Sequence, residues 1–138
     1  MAVESTMLRS STCQAAANYW NPASKLYGVN GSGQFLGVYV SAANVVTIRT
    51  TLGGAIWGVL QNTPDINQAA DVCWGGECKA VCGGTPTAGA FLMVDANGRL
   101  TTWTAGSGYT QSAIAMEAGT TDSVIRVFVI PGGKVVLT

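Results

Sequence analysis

The sequence contains no histidine. That removes the commonest general base and the commonest zinc ligand, and with them many enzyme classes. Charge is scarce as well: Asp, Glu, Lys and Arg supply 10% of residues, against about a quarter in an ordinary globular domain. Seven basic residues cancel seven acidic ones, so no long-range field draws in nucleic acid or an anionic membrane, and neither is expected as a partner. Long apolar runs are missing, since none approaches the roughly 20 residues that span a bilayer. The beginning, MAVESTMLRSSTCQAAA, carries Glu4 early and lacks a basic region followed by an apolar core of signal-peptide length. The expectation is therefore synthesis and folding in cytoplasm, with the cysteines reduced.

What is present is glycine, at 18 of 138 residues, and an apolar share of 48%. A chain of this length fits one domain that buries about two-thirds of its unfolded surface, and it needs no staple to fold. With net charge near zero and a positive mean hydropathy, it lacks the repulsion that keeps soluble monomers apart. Self-assembly or stable docking is expected, in preference to a monomer covered in Ser, Thr, Asn and Gly.

Residues 1–33 read as an arm or extended lead-in before a body of residues 34–138. Ser, Thr, Asn, Gly and Ala dominate the lead-in, and its few large groups, Met7, Leu8, Tyr19, Trp20, Leu26 and Tyr27, are scattered. Ala15 to Tyr19 has room for one helical turn, closed by Asn21-Pro22. Such an arm needs a surface to order it: the protein's own body, a neighbouring subunit or a larger scaffold.

From Gln34 the texture becomes that of β-structure. QFLGVYV, VVTIRT and AIWGVLQ read as three antiparallel strands, and Gly58 inside the third marks a bulge or a close backbone approach. NTPDINQ is a loop. Asp71-Val-Cys-Trp opens a strand in which Gly75-Gly76 is a bulge rather than a hairpin, because the flanking arms are otherwise very short. Asp95-Ala-Asn97-Gly98 is a strong hairpin signal, both Asn97 and Gly98 readily taking positive φ. SAIAMEA and SVIRVFVI follow. Val124 to Ile130 is apolar on both faces apart from Arg126, as in a strand sandwiched inside the body or at a subunit interface. About ten short strands with regular turns make an all-β fold, a single compact barrel or sandwich.

Candidate chemistry is sparse. Cys13, Cys73, Cys78 and Cys82 lack zinc-ribbon spacing. In an extended strand Cys78 and Cys82 stand about 13 Å apart, too far to bridge, and Cys73 faces away from Cys78 unless a bulge intervenes. They read as core thiols. Asp95 to Gly98 lacks the ligand spacing and closing glutamate of a calcium loop, and GVNGSGQFLG matches no dinucleotide fingerprint. Neither metal nor cofactor is implied. Glu77 and Lys79 share a strand face and are expected to pair. Asp65, Asp71 and Glu77 are the only candidates for a small hydrolase, with nothing to suggest a desolvated pocket around them. Tyr19, Trp20, Trp103 and Tyr109 could form a platform for sugars.

One pattern is more specific. Gly58-Val59-Leu60-Gln61-Asn62, Pro64, Asp71-Val72 through Gly76, Lys79-Ala80-Val81, Gly83-Gly84, Thr87-Ala88-Gly89 and Asp95 through Arg99, continued by Ala113-Ile114, Glu117-Ala118-Gly119 and Val124 through Phe128, resembles the capsid cement, or head decoration, proteins of tailed bacteriophages. The likeness covers about Gly31 to Ile130. Ala115 and Thr120-Thr121 stand where such sequences usually place glycine, and the N-terminal third matches poorly. The resemblance implies a small β-tulip-like virion protein, often a homotrimer, that is not an enzyme. Such a protein binds the major capsid protein on the outside of the assembled shell and reinforces it against internal DNA pressure. The large lead-in residues Met7, Leu8, Tyr19, Trp20, Leu26 and Tyr27 are then the candidate capsid or subunit contacts. The alternative is a carbohydrate- or host-surface-binding β-module.

Overall fold

The computed structural model describes residues 9–17, 33–105 and 108–135. Nine strands occur among them and no helix: β1 (Arg9–Ala15), β2 (Gly37–Ala42), β3 (Val45–Ile48), β4 (Gly58–Leu60), β5 (Ala69–Val81), β6 (Phe91–Val94), β7 (Leu100–Thr102), β8 (Thr110–Ala115) and β9 (Val124–Val135). Their order is β1-β3-β2-β4-β5-β9-β8-β6-β7, and a further pairing of β1 with β5 closes the first five into a barrel.

The barrel forms where Val, Ile and Thr runs meet the expected turns. β2, β3 and β4 pair antiparallel, with Asn44 in the left-handed region (φ 59°) at the β2–β3 turn. Closure comes from the lead-in. Arg9–Ala15 lies antiparallel to β5, with Thr12 opposite Asp71, and its end runs parallel to β3, with Gln14 opposite Val45. For this segment the ordering surface is the protein's own body. The helical turn expected from Ala15 does not begin there: Ala15 ends the strand, its N–H bonded to Gln68 O (3.0 Å), and Ala16 and Ala17 bend. Pairing on both edges satisfies more backbone groups than one isolated turn could.

β5 is the 13-residue strand shared by the two halves. Up to Gly75 it pairs with β1 and β4; from Gly76 to Val81 it pairs with β9, Gly76 opposite Val129 and Val81 opposite Val124. Two residues of β5 answer one of β1 at Trp74, and Gly76 takes φ 89°. This is the bulge expected at Gly75-Gly76. It shifts the side-chain phase, so Cys73 and Cys78 enter the same core.

Two cores result. Inside the barrel lie Leu36, Val38, Val46, Ile48, Leu60, Ala70 and Val72. Val59 and Cys73, on the barrel wall, join Leu92, Val94, Leu100, Ala113, Ile125, Val127 and Val129 of the second sheet. That sheet curls far enough for Cys82 to bridge Leu100 of β7. Gly58 explains how tightly wall and strand meet: a Cβ there would lie 2.8 Å from the carbonyl carbon of Cys73 and closer still to its oxygen.

Two expectations are corrected. Glu77 pairs not with Lys79 but with Arg126 (3.0 Å), which also approaches Glu117 (3.6 Å). Lys79 stands directly opposite Arg126, and the two like charges are relieved when the long arginine leans diagonally to Glu77. Secondly, β9 is not sandwiched within the described body: Ile125, Val127 and Val129 are buried, while Val124, Arg126 and Phe128 are exposed.

The cysteines are free, with Cys73, Cys78 and Cys82 buried and Cys13 half-buried. A hydrogen bond with Cys73, reinforced by burial, pushes the Cys78 thiol up; burial raises Cys82, with a hydrogen bond from Ser123 opposing it. A thiol whose folded pKa lies above its unfolded value stabilises fully below the unfolded pKa and loses that contribution as pH rises. The bond that raises Cys78 lowers Cys73, so those two shifts oppose each other, while no partner thiol offsets the rise of Cys82. Stability should therefore fall as pH climbs above about 8.5, as read by thermal melts from pH 7 to 10. At neutral pH a thiol reagent should modify Cys13 first and the other three only on unfolding.

Glycine substitutions should separate contact from conformation. Gly58→Ala should cost about 3 kcal/mol, because the obstructing atom is backbone. Gly89→Ala, at φ 86° with nothing within 4 Å of the added carbon, should cost only about 1 kcal/mol. Denaturant melts of the two variants give the comparison.

Candidate functional site

Of the contact residues expected from the sequence, Met7, Leu8, Tyr19, Trp20, Leu26 and Tyr27 all lie outside the described residues. The described chain offers three other places where chemistry could gather.

The first is the acidic group. Asp65 lies within the loop between β4 and β5, where its carbonyl accepts a backbone bond from Gln68 (2.9 Å), and Asp71 is the third residue of β5, its N–H capped by Asn62 Oδ1 (2.9 Å). Glu77 lies beyond the β5 bulge in its ion pair with Arg126. Asp71 and Glu77 are thus six positions apart on one strand, paired with different neighbours, rather than gathered about one point. No group of three or more Cys, Asp or Glu side chains suited to a metal occurs among the described residues.

The second is the Asp95–Arg99–Asp122 cluster. Asp95 Oδ1 accepts the N–H groups of Asn97 (2.8 Å) and Arg99 (3.0 Å), while Oδ2 accepts Arg99 Nε (3.0 Å). Arg99 Nη1 continues to Asp122 Oδ1 (2.9 Å), and this bond, with both carboxylates nearby, raises the guanidinium pKa further. Gly98 (φ 84°) makes the turn; Asn97 contributes its N–H instead of a left-handed backbone. The hairpin read from the sequence is present, with β6 and β7 paired from Leu92–Thr102 to Val94–Leu100. Asp95 is occupied in folding the turn, and Arg99 clasps it to the loop before β9.

The third was only partly read from the sequence, which flagged Val124 to Ile130 but not its neighbours on β6 and β8. On the outer face of the second sheet, Phe91 of β6 stands opposite Ile114 of β8, and Ile114 opposite Phe128 of β9. One step beyond the Leu92–Thr102 pair, Trp103 donates its N–H to Phe91 O (2.7 Å), so the row continues past β7. Phe91 is 43% exposed, Met116 44%, Val124 46% and Phe128 41%. The signal was available in Val124 to Ile130, which is too apolar for a strand with one wet face. Of the sugar-platform candidates, Trp103 and Tyr109 meet: the indole N–H donates to Tyr109 O (3.0 Å), and both residues are half-buried.

Shallow hollows add little to these surfaces. One, at the mouth of the barrel, is lined by Cys13, Gln14, Ala43, Asn44, Asn67 and Ala69, and it is open to solvent.

No family model and no curated protein sequence matches the chain. Among solved structures, the chain is similar to the crystal structure of the head fiber gp8.5 N base in bacteriophage phi29, with a TM-score of 0.62 and 11% sequence identity, over 91% of this chain and 97% of that one. At that identity the likeness shows a shared fold, a closed five-strand barrel carrying a four-strand extension, and shows it over nearly the whole of both chains.

Proposed function

We propose that the protein is a structural component of a bacteriophage virion that binds the outside of the assembled head and cements neighbouring capsomers. The observation that carries the reading is the near-complete overlap in fold with the base of a phage head fiber. The cement-protein pattern from Gly58 to Phe128 supports it independently. Its partners are the major capsid protein and copies of itself, as a homotrimer; nucleic acid, membrane, cofactor and catalysis have no part in it. It is made in the host cytoplasm and resides on the capsid exterior.

Mechanically, such a protein works by adding weak contacts. Each copy buries apolar area against the shell, and many copies on one lattice turn modest affinities into a stable coat. Strand-edge pairing contributes less than an open sheet would allow, because β1 closes the barrel and, among the described residues, the strand order ends on β7, of three residues. The lead-in residues Tyr19 and Trp20 are the proposed grip on the shell.

Purified protein mixed with undecorated expanded capsids should co-sediment with them and raise their melting temperature. No binding and no gain in heat stability would sink the proposal. A Tyr19→Ala/Trp20→Ala variant should bind at least about tenfold more weakly while keeping its circular dichroism, because aromatic anchors dominate most interfaces. The alternative, a carbohydrate- or host-surface-binding module, is favoured by the meeting of Trp103 with Tyr109. It predicts a saturable change in tryptophan fluorescence on titration with glycans.

A further inference from the structure

We infer that copies of this chain meet through the outer face of the second sheet, along the row Phe91, Ile114 and Phe128. The inference rests on the self-association in the reading above and assigns it a surface; it does not depend on which shell is bound.

Three observations carry it. From Val124 to Ile130, β9 is apolar on both faces apart from Arg126, and the described body covers only the face bearing Ile125, Val127 and Val129. Its other face joins β8 and β6 in a row of directly opposed large side chains, with Met116 and Val124 exposed alongside. Cross-strand contact between an aromatic and a β-branched residue accounts for holding such a row flat. It does not account for leaving two phenylalanine rings more than two-fifths exposed.

Charge then selects the occupant. Beside the row, β5 and β9 carry Glu77, Lys79 and Arg126, with Glu117 folded onto Arg126 through its N–H (2.9 Å). Two acidic and two basic groups sum to zero, and Arg126 reaches both glutamates. A strongly charged partner gains nothing at such a face, whereas a second copy, equally neutral, meets it without repulsion. The whole chain has the same property, seven charges of each sign.

The strand register also says how copies fit. An axis parallel to the strands, in front of Ile114, sets Phe91 of one copy against Phe128 of the next. Within one copy those two residues are separated by the width of β8, about 9.6 Å between strands two apart.

The test is the solution mass at tens of micromolar, without any shell. The wild type should be an oligomer, and Phe128→Asp should sediment as a single chain of 14.2 kDa with its circular dichroism retained, its melting temperature lowered modestly because the new carboxylate faces Glu77 across the strands. A Cys13→Ser/Phe91→Cys/Phe128→Cys variant treated with glutathione disulfide should form cross-linked multimers. A disulfide within one copy is out of reach, since it needs Cα atoms within about 7 Å. A monomeric wild type, or a folded Phe128→Asp variant of unchanged mass, would overturn the inference. So would a monomer whose Phe128→Asp variant loses only capsid binding, which would give the face to the shell. An oligomer that ignores capsids would leave the interface standing and remove the proposed function instead.

Discussion

The structure depends on one strand serving two sheets. β5 enters as a wall of the barrel and leaves as a member of the second sheet, changing partners at Trp74–Gly76. A regular strand of 13 residues would carry one alternating pattern throughout and could line only one core per face. The extra residue at Trp74 and the positive φ of Gly76 reset the alternation, so Val72 fills the barrel while Cys73, Cys78 and Ala80 fill the second core. Gly58 must then be glycine because β4 lies against the carbonyl of Cys73, just before the change. The buried thiols follow from the same geometry: small, weakly polar side chains suit the crowded inside of a bend.

Much of this was legible locally. Gly75-Gly76 marked the bulge, Gly58 the close approach, and Asp95 through Gly98 the β6–β7 turn, because each is chemistry that a few adjacent residues decide. What was not legible is long-range. Arg9–Ala15 has the composition of a tail, and its place between β3 and β5 is set by the two open edges it satisfies rather than by its own side chains. The partner of Glu77 was misread for a related reason: Lys79 is near in sequence, but Arg126, 49 residues on, is brought within diagonal reach of Glu77 by the β5–β9 register.

The exposed row on β6, β8 and β9 falls between these cases. Two-sided hydrophobicity in Val124 to Ile130 showed that both faces want cover, and left open whether the cover came from within the body or from another subunit. The described structure removes the first for Phe128 and Val124 and leaves Arg126 among acidic neighbours.

A protein poor in charge, with its strand edges largely closed, has few ways to associate. Among the described residues the strand order ends on β7, of three residues, whose Leu100 is already bridged by Cys82. Electrostatic attraction is removed by the balance of seven against seven. Apolar faces remain, and contact through them is non-directional and not screened by salt. A coat protein assembled from such contacts would keep its grip across ionic conditions in which salt-bridged assemblies loosen. Under the proposed function, the same balance that leaves no field for steering a partner would suit association with a lattice already in place, where many weak and neutral contacts act together.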